Sequence, residues 1–206
     1  MPSSRRTGAR AEAVARALPQ SFHARPAVEL ARALLGRVLV GVTPAGRTSG
    51  RIVETEAYPG PEDPASHAAG RIGRTRRNEP LFGPPGTAYI HRNYGVHWCF
   101  NVVAATEGKP EGVLVRAVEP LEGAELMRKR RGGRPDLTNG PGRLAAAFAL
   151  GPDLQGHRLD RAPLWIEAGE AVPDDEVVAT VRIGIRRAAD RPWRWYDGRS
   201  DWVSRR

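Results

Sequence analysis

The sequence predicts one α+β domain: a mainly antiparallel, curved β-sheet flanked by short helices, with one protruding β-hairpin. Three observations predict it. Short runs rich in Val, Ile, Thr and aromatic residues recur along the 206-residue chain, bounded by Gly, Pro and Asn. Helical periodicity is confined to a few short stretches. No internal repeat and no clear linker divides the chain, and its length is enough to bury one sizeable core.

Each element has a local reason. Residues 1–19 are rich in Arg, Ala and Ser and hold no aromatic residue. They read as a loose basic tail rather than a transit or secretory segment, because no apolar core is present. Residues 20–206 are then the folded domain. Pro26 opens a helix whose apolar face is Val28, Ala31, Leu34 and Leu35, and Gly36 stops it. Residues 37–42 form a strand, Thr43-Pro44-Ala45-Gly46 a turn, and residues 50–58 the returning strand. Residues 59–87 make a Gly-, Pro- and Arg-rich loop, a length that points to function or disorder. Strands at 88–91 and 96–105 meet around Arg92-Asn93-Tyr94-Gly95, and another strand spans 112–118. A helix is expected from Glu119-Pro120-Leu121 into the basic run Arg128-Lys129-Arg130-Arg131. Asn139-Gly140-Pro141-Gly142-Arg143 precedes an Ala-rich helix ending at Leu150. Strands are expected near 163–168 and across 176–186, and residues 193–203 read as aromatic and irregular.

Composition narrows the function. No apolar run approaches the ~20 residues that cross a bilayer as a helix. A single cysteine, Cys99, excludes a disulfide framework and a Cys-rich zinc site, and fits a small buried hydrophobe. The formal net charge is +9. Lysine occurs only at Lys109 and Lys129, so arginine supplies nearly all the positive charge. Arginine binds phosphate as a planar fork, which suits nucleic acid, although a GC-rich coding sequence would also enrich it. The five histidines show neither H-x-x-x-H nor H-E-x-x-H spacing, so neither metal nor other cofactor is expected.

The chemistry concentrates on Gly50-Arg51-Ile52-Val53-Glu54-Thr55-Glu56-Ala57-Tyr58. Side chains on a strand alternate faces, so Glu54, Glu56 and Tyr58 share one. Two carboxylates beside an aromatic ring suggest a catalytic acid set in a surface that attracts anions. A solvated strand face is the plain alternative. Either carboxylate could do the chemistry. Arg116 lies within the apolar strand Val113-Leu114-Val115-Arg116-Ala117-Val118, where a charge is costly unless paired.

An ordered set of segments resembles the alkyladenine (3-methyladenine) DNA glycosylase family. They are Arg51-Ile52-Val53-Glu54-Thr55-Glu56-Ala57-Tyr58 with Gly60-Pro61-Glu62-Asp63 and His67; Pro85-Gly86-Thr87-Ala88-Tyr89; Tyr94-Gly95-Val96-His97 through Asn101; Val115-Arg116-Ala117-Val118-Glu119-Pro120; Asn139-Gly140-Pro141; Arg182-Ile183-Gly184; and Trp202-Val203-Ser204. They span roughly residues 20–206.

The resemblance implies an enzyme that flips damaged purines out of double-stranded DNA and hydrolyses the N-glycosidic bond, leaving an abasic site. It makes Glu56 the carboxylate that activates water. It puts Arg116 and the backbone carbonyl of Ile183 beside that water, or Arg116 on the target phosphate. Tyr58 and His67 sandwich the base. Asn101 and Leu114 line the pocket, and Asn101 turns away the exocyclic amine of guanine. His91 stands where some members carry a stacking tyrosine, so its charge state decides how it meets a cationic base. Tyr94 becomes a wedge in the minor groove. Tyr89, Asn139, Gly140 and Arg143 join the DNA-contacting set, with the Asn139 segment offering N–H groups at a helix start. A monomer acting in the cytoplasm or on the nucleoid of a bacterium is expected. A non-catalytic nucleic-acid-binding module on the same fold, or a hydrolase of free nucleosides, would be the rival readings.

Overall fold

The computed structural model describes residues 16–93 and 95–206. The expected tail therefore lies, up to residue 15, outside the described residues, and so does Tyr94. Ala17 bridges to Glu167 and Leu18 N–H donates to the Ile166 carbonyl, so the ordered chain begins before residue 20.

Nine strands form one curled antiparallel sheet among the described residues, as expected for an α+β domain. Strands β1 (Val38–Thr43) and β2 (Gly46–Tyr58) make the first hairpin. Strands β3 (Ala88–Asn93) and β4 (His97–Val103) make the second, whose tip at Arg92, Asn93 and Val96 is exposed. Strand β5 (Gly112–Glu122) lies between β4 and β2. Strands β6 (Asp160–Arg161) and β7 (Leu164–Glu167) extend the edge beyond β1. Strands β8 (Val177–Thr180) and β9 (Arg194–Asp197) attach through β9 to the second half of β2.

Helices α1 (Gln20–His23), α2 (Ala27–Ala33), α3 (Ala124–Arg130) and α4 (Pro141–Phe148) pack around this sheet. Helix α2 lies on β2 and β5, burying Leu30, Ala31 and Leu34 against Ile52, Val113 and Val115. Thr55 ties the two layers by donating to the Ala31 carbonyl at 2.8 Å. Gly36 ends this segment at φ +81°, and a Cβ there would sit 1.9 Å from the Glu170 carbonyl oxygen. Only glycine fits such a turn. No described helix is long and apolar enough to cross a membrane.

Three expectations need correction. The helix expected at Glu119-Pro120 is instead strand: β5 continues to Glu122 because the long β2 offers it partners, with Pro120 opposite Gly50. The helix starts only after Gly123, whose φ of +77° turns the chain. The strand expected across 176–186 stops at Thr180, and residues 181–186 leave the sheet. Residues 193–203 are not wholly irregular, since Arg194–Asp197 pairs with both β2 and β8. In the first and third cases pairing across the sheet overrides the local signal, and in the second the strand stops where β9, which begins at Arg194 opposite Thr180, offers no further partner.

Candidate active site

Two register slips aim the polar side chains. Ile52 pairs with Val118 and Glu54 with Ala117, leaving Val53 as an extra residue on β2. Thr55 then pairs with Val115, leaving Arg116 as an extra residue on β5. A bulge bends a strand and re-aims its side chains. Here it shifts the alternation by one. Ile52, Thr55 and Ala57 all face the α2 side, while Glu54, Glu56 and Tyr58 turn to the opposite face. Arg116 turns the same way and meets both carboxylates.

Both glutamates are fully buried, so neither belongs to a solvated strand face. Arg116 Nε donates to Glu54 Oε1 at 3.1 Å, and its Nη1 lies 3.1 Å from Glu56 Oε1. Its Nη2 donates to Ser204 Oγ at 3.3 Å. Burial alone would lower this guanidinium, but Glu56 and Glu54 outweigh it and hold its pKa above the ordinary arginine value. All three nitrogens are occupied by protein groups, so Arg116 is a bridge between two carboxylates.

The two carboxylates are not equivalent. Glu54 accepts from Arg116, from Arg194 Nη1 at 2.6 Å, from Ser204 Oγ at 2.9 Å and from Ser204 N–H at 2.7 Å. Three of these bonds converge on Oε1 and one reaches Oε2, and two of the four donors are guanidinium groups. Glu56 forms an ion pair with Arg116 and accepts from the Ile183 N–H at 2.7 Å and from the Tyr58 hydroxyl at 2.8 Å. Its two hydrogen bonds fall one on each oxygen, Ile183 on Oε1 and Tyr58 on Oε2. Burial, then the charge of Glu56, raises the Tyr58 phenol well above its usual value, so it stays a donor.

The Ile183 N–H is held in place by its neighbour. The Arg182 side chain is wholly buried and pairs with Asp63 through two bonds of 2.5 and 2.9 Å. It also donates to the Ala57 carbonyl at 2.9 Å. Its guanidinium lies 4.6 Å from the Tyr58 ring centre and 5.0 Å from that of Trp193. This latch pins residues 181–186 beside β2. Ile183 thus reaches Glu56 through its N–H; the expected carbonyl contact is with a water and has no counterpart in the protein's own bonds.

A solvent-open cavity of about 130 Å³ lies above this cluster. Tyr58, His67, Tyr89, His91, Asn101, Leu114, Arg116 and Ile183 line it, with Cys99 and Pro141. Glu56 itself does not line it, but Tyr58, Arg116 and Ile183, its three partners, do. The carboxylate therefore sits one layer beneath the wall. The opposite wall is aromatic. Tyr89 and His91 stack with centres 5.2 Å apart, and His67 meets His91 edge-on at 4.4 Å. His67 Nδ1 and the Tyr89 hydroxyl are 2.9 Å apart. Burial, then His67 and Arg77, pushes His91 down to about 3, and burial then Arg77 lowers His67. Both rings are neutral at pH 7, which removes the repulsion a charged His91 would exert on a cation.

The remaining sequence-predicted residues are placed as follows. Tyr89, grouped with the DNA-contacting residues, is 2% exposed and lines the cavity. Asn101 donates to the Tyr89 carbonyl at 3.0 Å and also faces the cavity. Asn139 bridges to Ala117, and Gly140 precedes α4, so that helix starts at the cavity rim through Pro141. Arg143 is exposed, bonds Asn139 and pairs with Asp136 at 2.9 Å. Arg194, Ser204, Arg182 and Asp63 were given no role from sequence. An arginine inside the aromatic run Trp193-Arg194-Trp195-Tyr196 was the available signal, since a charge among such rings needs a partner.

The comparisons agree with one another. Residues 21–201 match the family model described as methylpurine-DNA glycosylase. A relative from Salinibacter ruber, named "Putative 3-methyladenine DNA glycosylase", is 48% identical over 198 residues, 91% of this chain and 96% of that protein. Relatives of the same name from Gloeobacter violaceus and Rubrobacter xylanophilus are 46% and 52% identical. They cover 86% and 79% of this chain, and 82% and 84% of their own lengths.

Proposed function

The chain belongs to the methylpurine-DNA glycosylase family, and from that premise we propose that it releases alkylated or deaminated purines from double-stranded DNA by hydrolysis. One observation supports Glu56 over Glu54 as the water-activating group: the three partners of Glu56, namely Tyr58, Arg116 and Ile183, line the cavity, whereas Glu54 is also held by Arg194 and Ser204, which do not. The attacking water is held by Glu56 where these three groups meet the cavity.

In this reading the target nucleotide leaves the duplex, because its reacting bond is inaccessible in the stack. The purine enters the cavity against Tyr58, His67, His91, Asn101 and Leu114. The water oxygen bonds to C1′ as the C1′–N9 bond breaks, and Glu56 takes the water proton. The electron pair leaves with the base. A cationic alkylated purine accepts that pair directly; a neutral deaminated purine takes up a proton as well. The Ile183 N–H and Arg116 steady the Glu56 carboxylate while the sugar gains positive charge. Tyr94 fills the gap left in the stack, and Asn139, Gly140 and Arg143 meet the backbone. The net charge of +9 favours phosphate contact. The product is an abasic site.

The test uses labelled duplexes carrying one hypoxanthine or one ethenoadenine, and alkylated DNA, with abasic sites cleaved by alkali. Wild type should release base, and Glu56→Gln should release none while still binding the duplex. Tight binding with no release from any lesion would support a non-catalytic module instead. Release from free nucleosides alone would point to the nucleoside hydrolase.

A further inference from the structure

Asn101 decides more than its own position. Its side-chain nitrogen lies 3.0 Å from the Tyr89 carbonyl and 3.1 Å from His91 Nδ1. The carbonyl can only accept, which identifies this atom as the amide nitrogen rather than the oxygen. An amide nitrogen can only donate, so His91 Nδ1 must accept. A neutral imidazole carries one proton, and with Nδ1 unprotonated it resides on Nε2. The cross-strand pairing builds this arrangement: Tyr89 stands opposite Asn101 and His91 opposite Cys99, on the face of β3 and β4 that lines the cavity.

We propose that His91 is a specificity-determining residue, whose Nε2–H donates to a 6-oxo group of a neutral purine in the cavity. This rests on the glycosylase reading and deepens it. Adenine carries an amine at position 6, a donor, whereas its deaminated product carries an oxygen, an acceptor. A fixed donor in the wall meets that oxygen and opposes that amine. A site that hydrogen-bonds a substrate group discriminates strongly, because its own polar atom is otherwise left unmet. The stack of His91 on Tyr89 fixes the ring plane, so the donor direction does not wander. The histidine therefore contributes through its edge, since one of its faces is already covered by Tyr89.

The test is a double cycle between protein donor and substrate acceptor. Single-turnover base release is measured from duplexes carrying hypoxanthine or unsubstituted purine, which differ in the 6-oxo group and the N1 proton that accompanies it. Wild type and His91→Phe are compared. Wild type should favour hypoxanthine, and the phenylalanine variant should lower the hypoxanthine-to-purine ratio by about tenfold. An unchanged ratio overturns the proposal, whatever the absolute rates. So does a wild type that releases 3-methyladenine and not hypoxanthine. A wild type that releases no base from any DNA sinks the glycosylase reading itself, a result distinct from either. Nitrogen-15 spectra of the wild-type histidines supply a readout independent of activity and of the variant's folding. His91 should show an unprotonated Nδ1 and a protonated Nε2 at pH 7; a proton on Nδ1 overturns the proposal.

Discussion

Glu54→Gln is the perturbation on which the structure speaks most directly. The Glu54 side chain is fully buried, and those of Arg116 and Arg194 are 8% and 5% exposed. Neutralising Glu54 leaves Arg194 with no carboxylate in reach; its remaining bonds run to the Val181 and Arg205 carbonyls. Arg116 keeps only Glu56. The new amide would also point donors at N–H and O–H groups that now donate to Glu54. Removing one partner of a buried ion pair costs about 3–5 kcal/mol, and this site should lie in that range. For a domain of this size each kcal/mol lowers the melting temperature by about 2–4 °C, giving a drop of roughly 6–20 °C. Urea unfolding followed by tryptophan fluorescence, with a parallel thermal melt, measures it. Glu56→Gln should lose less stability, because Arg116 keeps Glu54, yet lose more activity. A Glu54→Gln loss below about 1 kcal/mol, the range of exposed pairs, would refute the reasoning.

Other outcomes follow from single groups. His23 is 1% exposed, and burial pushes its imidazole down to about 4. The unfolded ring titrates near 6.5, so the folded value is the lower one. The stability this confers is whole above pH 6.5 and drains away as pH falls towards 4, about 3 kcal/mol in all. His23→Leu should flatten the slope of unfolding free energy across that window; an unaltered slope would contradict the assignment. Asp63→Asn strips Arg182 of its counter-charge and loosens the Ile183 N–H on Glu56. Single-turnover base release should fall by between about tenfold and a hundredfold with duplex affinity kept, and an unchanged rate would show that the latch does not position the site. Cys99 is 2% exposed, with its thiol pushed up to about 11 by burial. Native protein at pH 8 should resist a disulfide reagent that labels the unfolded chain at once; equal rates in both states would place the thiol in solvent.

The legibility of the fold differs from element to element. Helix α2 was readable because its apolar spacing, Pro26 and Gly36 are all local signals. The first two hairpins were readable because β-branched runs flank short turns. The extension of β5 through Pro120 was not, since it depends on the 13-residue partner β2 lying alongside. Strand β9 was missed for the same reason: Arg194–Asp197 is a strand only because β2 and β8 receive it.

The sequence by itself determined that Glu54, Glu56 and Tyr58 share a face, that one arginine lies within an apolar strand, and which family the chain resembles. Those are properties of period, composition and order. It left open which glutamate could act, and whether Arg116 is paired or free. Only the tertiary structure decided that Glu54 is tied to Arg194 and Ser204, which lie 140 and 150 residues further along the chain. It also decided the bulges at Val53 and Arg116, which are register relations between two strands rather than a property of either. A hydrogen-bond partner is a neighbour in space, and a linear pattern holds no record of neighbours so far apart.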